Sequence, residues 1–300
     1  MHASGHPLVW GVVGTGALLV VFFFVVLLLT AVLTGEEGST EGGGKIGIVD
    51  LEGVISSELS EQTVRQLTKH RDDPAIKAVV LRIDSPGGGV ASSQEVYEEV
   101  KRTRAGGKLV VASLGSVAAS GGYYIACAAD RIFANAGTLT GSIGVIVQLA
   151  NAEELLRKVG VAATVITSGP FKDSGNPTRA LRPEERQVFQ ALVDDVYQQF
   201  VEAVSQGRQI PLVEARQLAD GRIYTGRQAK ELRLIDELGT LQDVIAYTAT
   251  TIGISGKPTL VREREERLWW LKFLLDRFPD TSLFRSLSHV DAVLQYRWPY

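Results

Sequence analysis

Ser120 stands among residues small enough for a substrate to reach it: Ala118 and Ala119 precede it, and Gly121 and Gly122 follow. It lies in the stretch from Leu114 to Gly144, LGSVAASGGYYIACAADRIFANAGTLTGSIG, just before an apolar run of helix length, Tyr123 to Ala129. A hydroxyl at a helix start is a candidate nucleophile, because the free N–H groups there can stabilise an anion. The plainer alternative is a serine that only caps the helix. A second feature is Ser85-Pro86-Gly87-Gly88-Gly89, at the end of a strongly apolar run. Glycines there let backbone N–H groups turn inward with no Cβ in the way, which suits an oxyanion hole or a phosphate cradle. No Gly-Lys-Ser/Thr follows, so it is not a P-loop, and an ordinary strand-to-helix turn accounts for it equally well.

The third requirement is a base, since serine alone is a weak nucleophile. The histidines are poorly placed. His2 and His6 precede a long uncharged run, His70 lies in the charged helix end KHRDD and reads as solvated surface, and His289 belongs to the far tail. Lysine is the other option, Ser–Lys pairs being a variant of the serine triad. Among 10 lysines Lys172 is set apart, between Phe171 and Asp173 in the polar loop SGPFKDSGNPTR. The plain reading of a loop lysine is a solvated charge. A lysine base must be neutral, so in that role Lys172 is expected to be shielded beside apolar side chains and the glycine loops.

These residues need a scaffold, and the 300-residue chain can build one. Hydrophobic content is 45% and charged content 22%, enough for a real core, in one large or two small domains. The net charge of −3 with no basic block argues against nucleic acid. Cys127, the single cysteine, can form neither an intrachain disulfide nor, with scattered histidines, a zinc site. It reads as a buried structural thiol.

Alternating and β-branched runs predict strands at KIGIVDLEGVI from Lys45, AIKAVVLRID, KLVVASLG and VAATVIT. Helices are predicted at Leu59 to Arg71, Val90 to Arg104 (with Val96, Tyr97 and Val100 on one face), Ala152 to Val159, Pro183 to about Ser205, and Leu241 to Thr251. Short strands and turns fill Arg131 to Val147, and a strand, helix and turn fill Ala219 to Gly239. Strands alternating with helices predict an α/β fold with parallel pairing.

The termini differ. Residues 1–33 hold an uncharged run of 26 residues from Leu8 to Leu33, ~39 Å as a helix, which reads as an uncleaved membrane anchor. A short amino terminus inside and the bulk of the chain outside the cytoplasm is the orientation expected. Residues 34–44 are a flexible linker, TGEEGSTEGGG. The folded domain is expected over 45–260. Residues 261–300 begin with REREERLWWLKFLLDR, Arg262 to Arg277, an amphipathic helix that either docks on the domain or lies on the membrane surface.

LRIDSPGGG, the Leu114–Gly144 stretch, SGPFKDSGNPTR and DGRIYTGRQAKELRLIDELG together resemble the signal peptide peptidase A family, membrane-anchored serine peptidases of the ClpP/crotonase fold. The resemblance runs from about Ile46 to Gly239, in the short, single-core form. It implies a spiral of ββα units, with Ser120 as nucleophile, Lys172 as general base and Ser142 orienting the lysine. The oxyanion hole falls at Gly87 or Gly88, with the N–H of Gly121 as second donor. It also implies an octameric dome in which Lys172 reaches the Ser120 of a neighbouring subunit. The substrates implied are remnant signal peptides and other extended chains, without cofactor or metal. The alternatives are a protease of the same fold specific for a membrane partner, as in stomatin operons, a non-catalytic membrane-tethered scaffold, and a crotonase-type acyl-CoA enzyme.

Overall fold

The computed structural model describes residues 44–263, together with Phe23, Phe24 and the backbone of Gln295–Arg297. The order is β1 (Lys45–Glu52), α1 (Ser57–Asp72), β2 (Ile76–Ser85), β3 (Gly87–Gly89), α2 (Val90–Ala105), β4 (Leu109–Ala119) and α3 (Gly121–Ala126). Then come β5 (Arg131–Ala134), β6 (Leu139–Gly141), α4 (Glu153–Lys158), α5 (Pro183–Arg208) and α6 (Leu212–Leu218). The chain continues through β7 (Ile223–Thr225), α7 (Gly226–Glu231), β8 (Glu237–Leu238), α8 (Leu241–Thr251), β9 (Thr259–Arg262) and β10 (Gln295–Arg297).

The expected parallel α/β architecture is present. The main sheet runs β7-β6-β4-β2-β1-β9, with β5 also paired to β4 and β8 paired to β5, and its pairings are parallel except β6 with β7. Period-two alternation sends its side chains into two cores. Val49, Leu51, Val79, Leu81, Ile83, Val110, Ala112 and Leu114 face one way, into a cluster with α1, α2, α3 and α5. Ile46, Ile48, Val80 and Val111 face the other way, onto Val244, Ile245 and Ala249 of α8. With both faces covered, the central strands read as nearly continuous apolar runs.

Three sequence expectations need correction. VAATVIT, Val161 to Thr167, forms no strand; its residues are exposed, Ile166 to 95%, because no sheet edge is offered to it. A β-branched run without a partner has nowhere to place its backbone hydrogen bonds. His70 is buried, not solvated. It lies on the inner face of α1 in line with Thr63, Gln66 and Leu67, and its ring fills the space that a Cβ on Gly47 would take. Arg262, expected to start a helix, instead closes β9, where its guanidinium meets Asp50 at 2.6 and 2.7 Å. The rest of that stretch lies outside the described residues. So does the run from Leu8 to Leu33, apart from Phe23 and Phe24. Among the described residues no helix is long and apolar enough to cross a membrane.

Candidate active site

β4 is the strand that delivers Ser120. Its first half pairs with β5, Val111 to Leu114, and its last residues pair with β6, Val117 opposite Leu139 through Ala119 opposite Gly141. The change of partner falls at Gly115 and Ser116. Asp84 secures it: its carboxylate accepts the N–H groups of Ser116 (3.2 Å) and Val117 (3.1 Å), and Gly115 has no Cβ because that carboxylate stands in its place. Thr138 and Thr140 donate their hydroxyls to the carbonyls of Gly115 and Ala118, each at 2.7 Å, fastening β6 to the same segment.

One residue beyond that pairing, Ser120 and Ser142 stand side by side. The Ser120 N–H donates to the Gly141 carbonyl (2.8 Å), and the Ser142 N–H to the Arg222 carbonyl (2.8 Å). Both serines have positive φ, 54° at Ser120 and 51° at Ser142. Ser120, with ψ of −118°, occupies a region that a side chain disfavours by about 1–3 kcal/mol and that surrounding structure must enforce. Ser120 is only 1% exposed, yet its hydroxyl makes no capping bond to α3. The helix-cap reading of this serine is therefore excluded.

The backbone around it is held from behind. Gly122 is pressed on the end of β2, where an added Cβ would lie 3.1 Å from the Ser85 carbonyl oxygen. In α3, Tyr123 is fully buried and donates its hydroxyl to the Leu234 carbonyl (2.7 Å), while Tyr124 packs between Tyr97 and the edge of Phe200 on α5. Cys127 is buried as expected, and burial pushes its thiol up to about 12, leaving it an inert packing group.

The glycine strand β3 lies beside this helix start. Ser85 Oγ accepts the Gly87 N–H (3.1 Å), with Gly87 at φ 101°. Ile55 donates its N–H to the Gly87 carbonyl and accepts the Gly89 N–H, both at 2.9 Å. Since the N–H groups of Gly87 and Gly89 are used in this way, the Gly88 N–H is the one that faces away from Ile55. Gly88 must be glycine here, as a Cβ would lie 2.2 Å from the Ile55 oxygen.

Lys172 is placed differently. Its side chain is exposed, against the expectation of shielding, and no hydrogen bond or ion pair among the described residues links it to Ser120 or Ser142. Its loop is nonetheless fixed, by residues that the sequence reading passed over. Arg179 grips the Asp173 carboxylate at 3.0 and 2.9 Å and Glu185 at 2.9 and 2.5 Å. Glu185, 0% exposed at the start of α5, also accepts from the Arg182 side chain (2.6 Å), the Arg182 N–H (3.0 Å) and Ser174 Oγ (3.3 Å). Hydrogen bonds from Arg179 hold the Asp173 carboxyl below its usual value, and those from Arg179 and Arg182 hold Glu185 well below its own. The signal was a glutamate three residues after the helix-opening Arg182-Pro183, where a side chain can bond back to the cap N–H.

Ser120, Ser142, Gly121 and the glycine strand thus form one cluster, and Lys172 stands on a separately braced loop. The sequence matches the model of peptidase family S49 over residues 102–255 and that of Clp protease over residues 44–140. A Synechocystis sp. protein described as a protease is 47% identical over 210 residues, covering 70% of this chain and 75% of that protein. A signal peptide peptidase SppA of Enterococcus faecium is 41% identical over 180 residues, 60% of this chain and 52% of that one. Protease 4 of Salmonella typhi is 37% identical over 202 residues, 67% of this chain and 32% of that protein. The chain thus spans about half or less of the latter two. The S49 match covers more than half the chain and contains the strained serine, the paired serine and the braced lysine loop, so this chain belongs to peptidase family S49, the signal peptide peptidase A family of serine peptidases.

Proposed function

We propose that Ser120 is the nucleophile of a Ser–Lys peptidase that cleaves remnant signal peptides and other extended chains beside the membrane. The observation that carries this reading is the enforced backbone of Ser120, a buried serine at φ 54° whose hydroxyl is not spent on capping its helix. In the reaction neutral Lys172 takes the Ser120 proton, and Oγ attacks the substrate carbonyl. The Gly88 and Gly121 N–H groups stabilise the oxyanion, and water releases the acyl-enzyme. Gly88 is favoured over Gly87 because the Gly87 N–H is already taken by Ser85. Ser142, adjacent to Ser120 in register, orients the lysine amine. The mechanism asks for no metal or nucleotide.

Lys172 is supplied by a neighbouring copy in a closed ring, an octamer of ClpP-like ββα spirals. Two features support this: the exposed Lys172 side chain, and the exposed apolar residues that precede it, Leu155, Val159, Val161, Val165, Ile166 and Phe171. Such a stretch requires a cover, and a heterologous, closing interface provides one. The uncharged run from Leu8 to Leu33 anchors the ring, with its catalytic domains outside the cytoplasm. The test is to mix Ser120→Ala and Lys172→Ala chains, each inactive alone, and refold them together. Shared sites return activity, since about a quarter of interfaces then pair an intact serine with an intact lysine. A mixture that assembles fully and remains inactive refutes the shared site. Activity in Ser120→Ala alone refutes the nucleophile.

A further inference from the structure

We propose that Asp220 is a positioning residue of the reaction: by shaping the turn from Asp220 to Arg222 it fixes Ser142, and through Ser142 the lysine base. The proposal rests on the reading of Ser142 as the residue that orients Lys172.

Ser142 has φ 51°, a conformation that a side chain disfavours, so its neighbours must hold it there. It is 8% exposed, and its hydroxyl has no hydrogen-bond partner among the described residues. The backbone therefore sets where that hydroxyl stands. One flank of the segment is β4, after which the Ser120 N–H donates to the Gly141 carbonyl. The other flank is the chain that follows α6. There β7 pairs antiparallel with β6, and one residue beyond the pair of Gly141 with Ile223 the Arg222 carbonyl accepts the Ser142 N–H at 2.8 Å. The same stretch meets the segment on either side of Ser142. A Cβ on Gly141 would lie 3.2 Å from the Arg222 oxygen and 2.6 Å from the Tyr224 ring, and one on Gly144 would lie 3.6 Å from Gly221 Cα.

The turn is exposed from Asp220 to Ile223, between buried Ala219 and buried Tyr224, so core packing does not shape it. Asp220 does. Its Oδ1 accepts the Arg222 N–H at 3.1 Å, closing an Asx turn across Gly221, which has φ 87°. The carboxylate also takes Arg222 Nε, at 2.8 and 2.7 Å. An exposed ion pair contributes little by itself. The bond to the N–H is the one that fixes Arg222, and with it the carbonyl that carries Ser142. A hydroxyl that donates to the neutral amine favours the base form of Lys172, so a displaced Ser142 costs both rate and pH range.

The experiment makes three variants of the full chain. Asp220→Ala removes the acceptor, and Asp220→Asn keeps one for the Arg222 N–H. Gly221→Ala strains the turn at positive φ, with open space around the new methyl. Asp220→Ala and Gly221→Ala should lower kcat by up to about 100-fold, the loss that a misplacement of about 1 Å can cause. Both should move the limb on which activity rises with pH to higher pH, as Ser142→Ala does, and Asp220→Asn should restore most of the loss. Adding Asp220→Ala to Ser142→Ala should cost nothing further, since both act through one hydroxyl. An unmoved pH limb in Asp220→Ala, or losses that multiply in the double variant, overturns the proposal. A second readout needs no turnover. In a Ser120→Ala background, hydrogen exchange at the Ser142 amide should quicken in Asp220→Ala and Gly221→Ala and stay slow in Asp220→Asn. Equal exchange in all three also overturns the proposal. If no chain with Ser120 intact cleaves any peptide, the peptidase reading fails, and the exchange result still decides whether the turn holds Ser142.

Discussion

Replacing Gly88 with alanine tests the oxyanion assignment with a perturbation whose size can be worked out in advance. The new methyl would sit 2.2 Å from the oxygen, 2.6 Å from the nitrogen and 2.7 Å from the carbonyl carbon of Ile55. Ordinary contact between such atoms needs about 3.5 Å, so the backbone must move by more than about 1 Å. The movement strains the two bonds that join β3 to Ile55, each contributing about 0.5–1.5 kcal/mol. Stability should fall by roughly 1–3 kcal/mol, and Tm by about 2–4 °C for each kcal/mol. The rate should fall much further, since losing one oxyanion donor costs about 10²–10³ in kcat. Gly89→Ala is the comparison: its Cβ would meet Ser92 Oγ at 3.4 Å and the Ile55 oxygen at 3.6 Å, ordinary contacts that leave the strand in place. Initial rates on a fluorogenic peptide and a thermal melt on each variant complete the assay. Gly88→Ala with a lowered Tm and an undiminished kcat would show that the reacting carbonyl does not sit at this glycine.

Three further outcomes are expected. Glu185→Gln should loosen the Lys172 loop and lower kcat while Ser120 still reacts with a fluorophosphonate; hydrogen exchange across residues 169–182 should rise, and an unchanged loop and rate would remove Glu185 from the machinery. Asp236 is held below its usual pKa despite burial, chiefly by Arg208, which bonds it at 2.9 and 3.0 Å, and its contribution is present above about pH 3.9 and lost as pH falls through the depressed value. Asp236→Asn should therefore cost about 3–5 kcal/mol at neutral pH by leaving Arg208 buried and unpaired, and should flatten the acid limb of the stability curve. His70 is shifted the opposite way in charge: burial lowers its pKa, offset in part by Glu263 and Asp73, and neither ring nitrogen makes a well-formed hydrogen bond. Its neutral form belongs to the fold, so stability present above pH ~6.5 should decline below it, and His70→Leu should abolish that decline in pH-resolved melts.

What could be read from the sequence followed from local rules. Period-two burial along β1, β2 and β4 is written directly in Ile46, Ile48, Val49, Leu51 and their neighbours, because each residue's face is set by its place in the strand. The small residues around Ser120 likewise reported the close approach of Gly122 to β2. What could not be read depended on partners remote in sequence. Val161 to Thr167 has strand chemistry and lacks only an edge, and no local pattern records a missing neighbour. His70 looked solvated among Lys69, Arg71, Asp72 and Asp73, yet the i, i+3, i+4 spacing from Thr63 and Leu67 turns it inward, onto a glycine 23 residues earlier. Whether Gly87 or Gly88 has an N–H to offer was settled by Ser85 and Ile55, at distances the sequence does not state.

Helix α5 joins the braced Lys172 loop to the packing behind Ser120. At its start Glu185 braces the lysine loop; 15 residues later Phe200 packs on Tyr124, in the helix that follows Ser120. That interval is ~22 Å of helix, a ruler between the Lys172 loop and the segment that carries Ser120. Much of its surface is exposed, Val188 and Leu192 included, so side chains there can be exchanged cheaply. Their number cannot. One inserted residue would turn the lysine loop by about 100° around the helix axis, and seven, restoring its direction, would still carry it ~10 Å away. Along this helix, length is constrained even where composition is not.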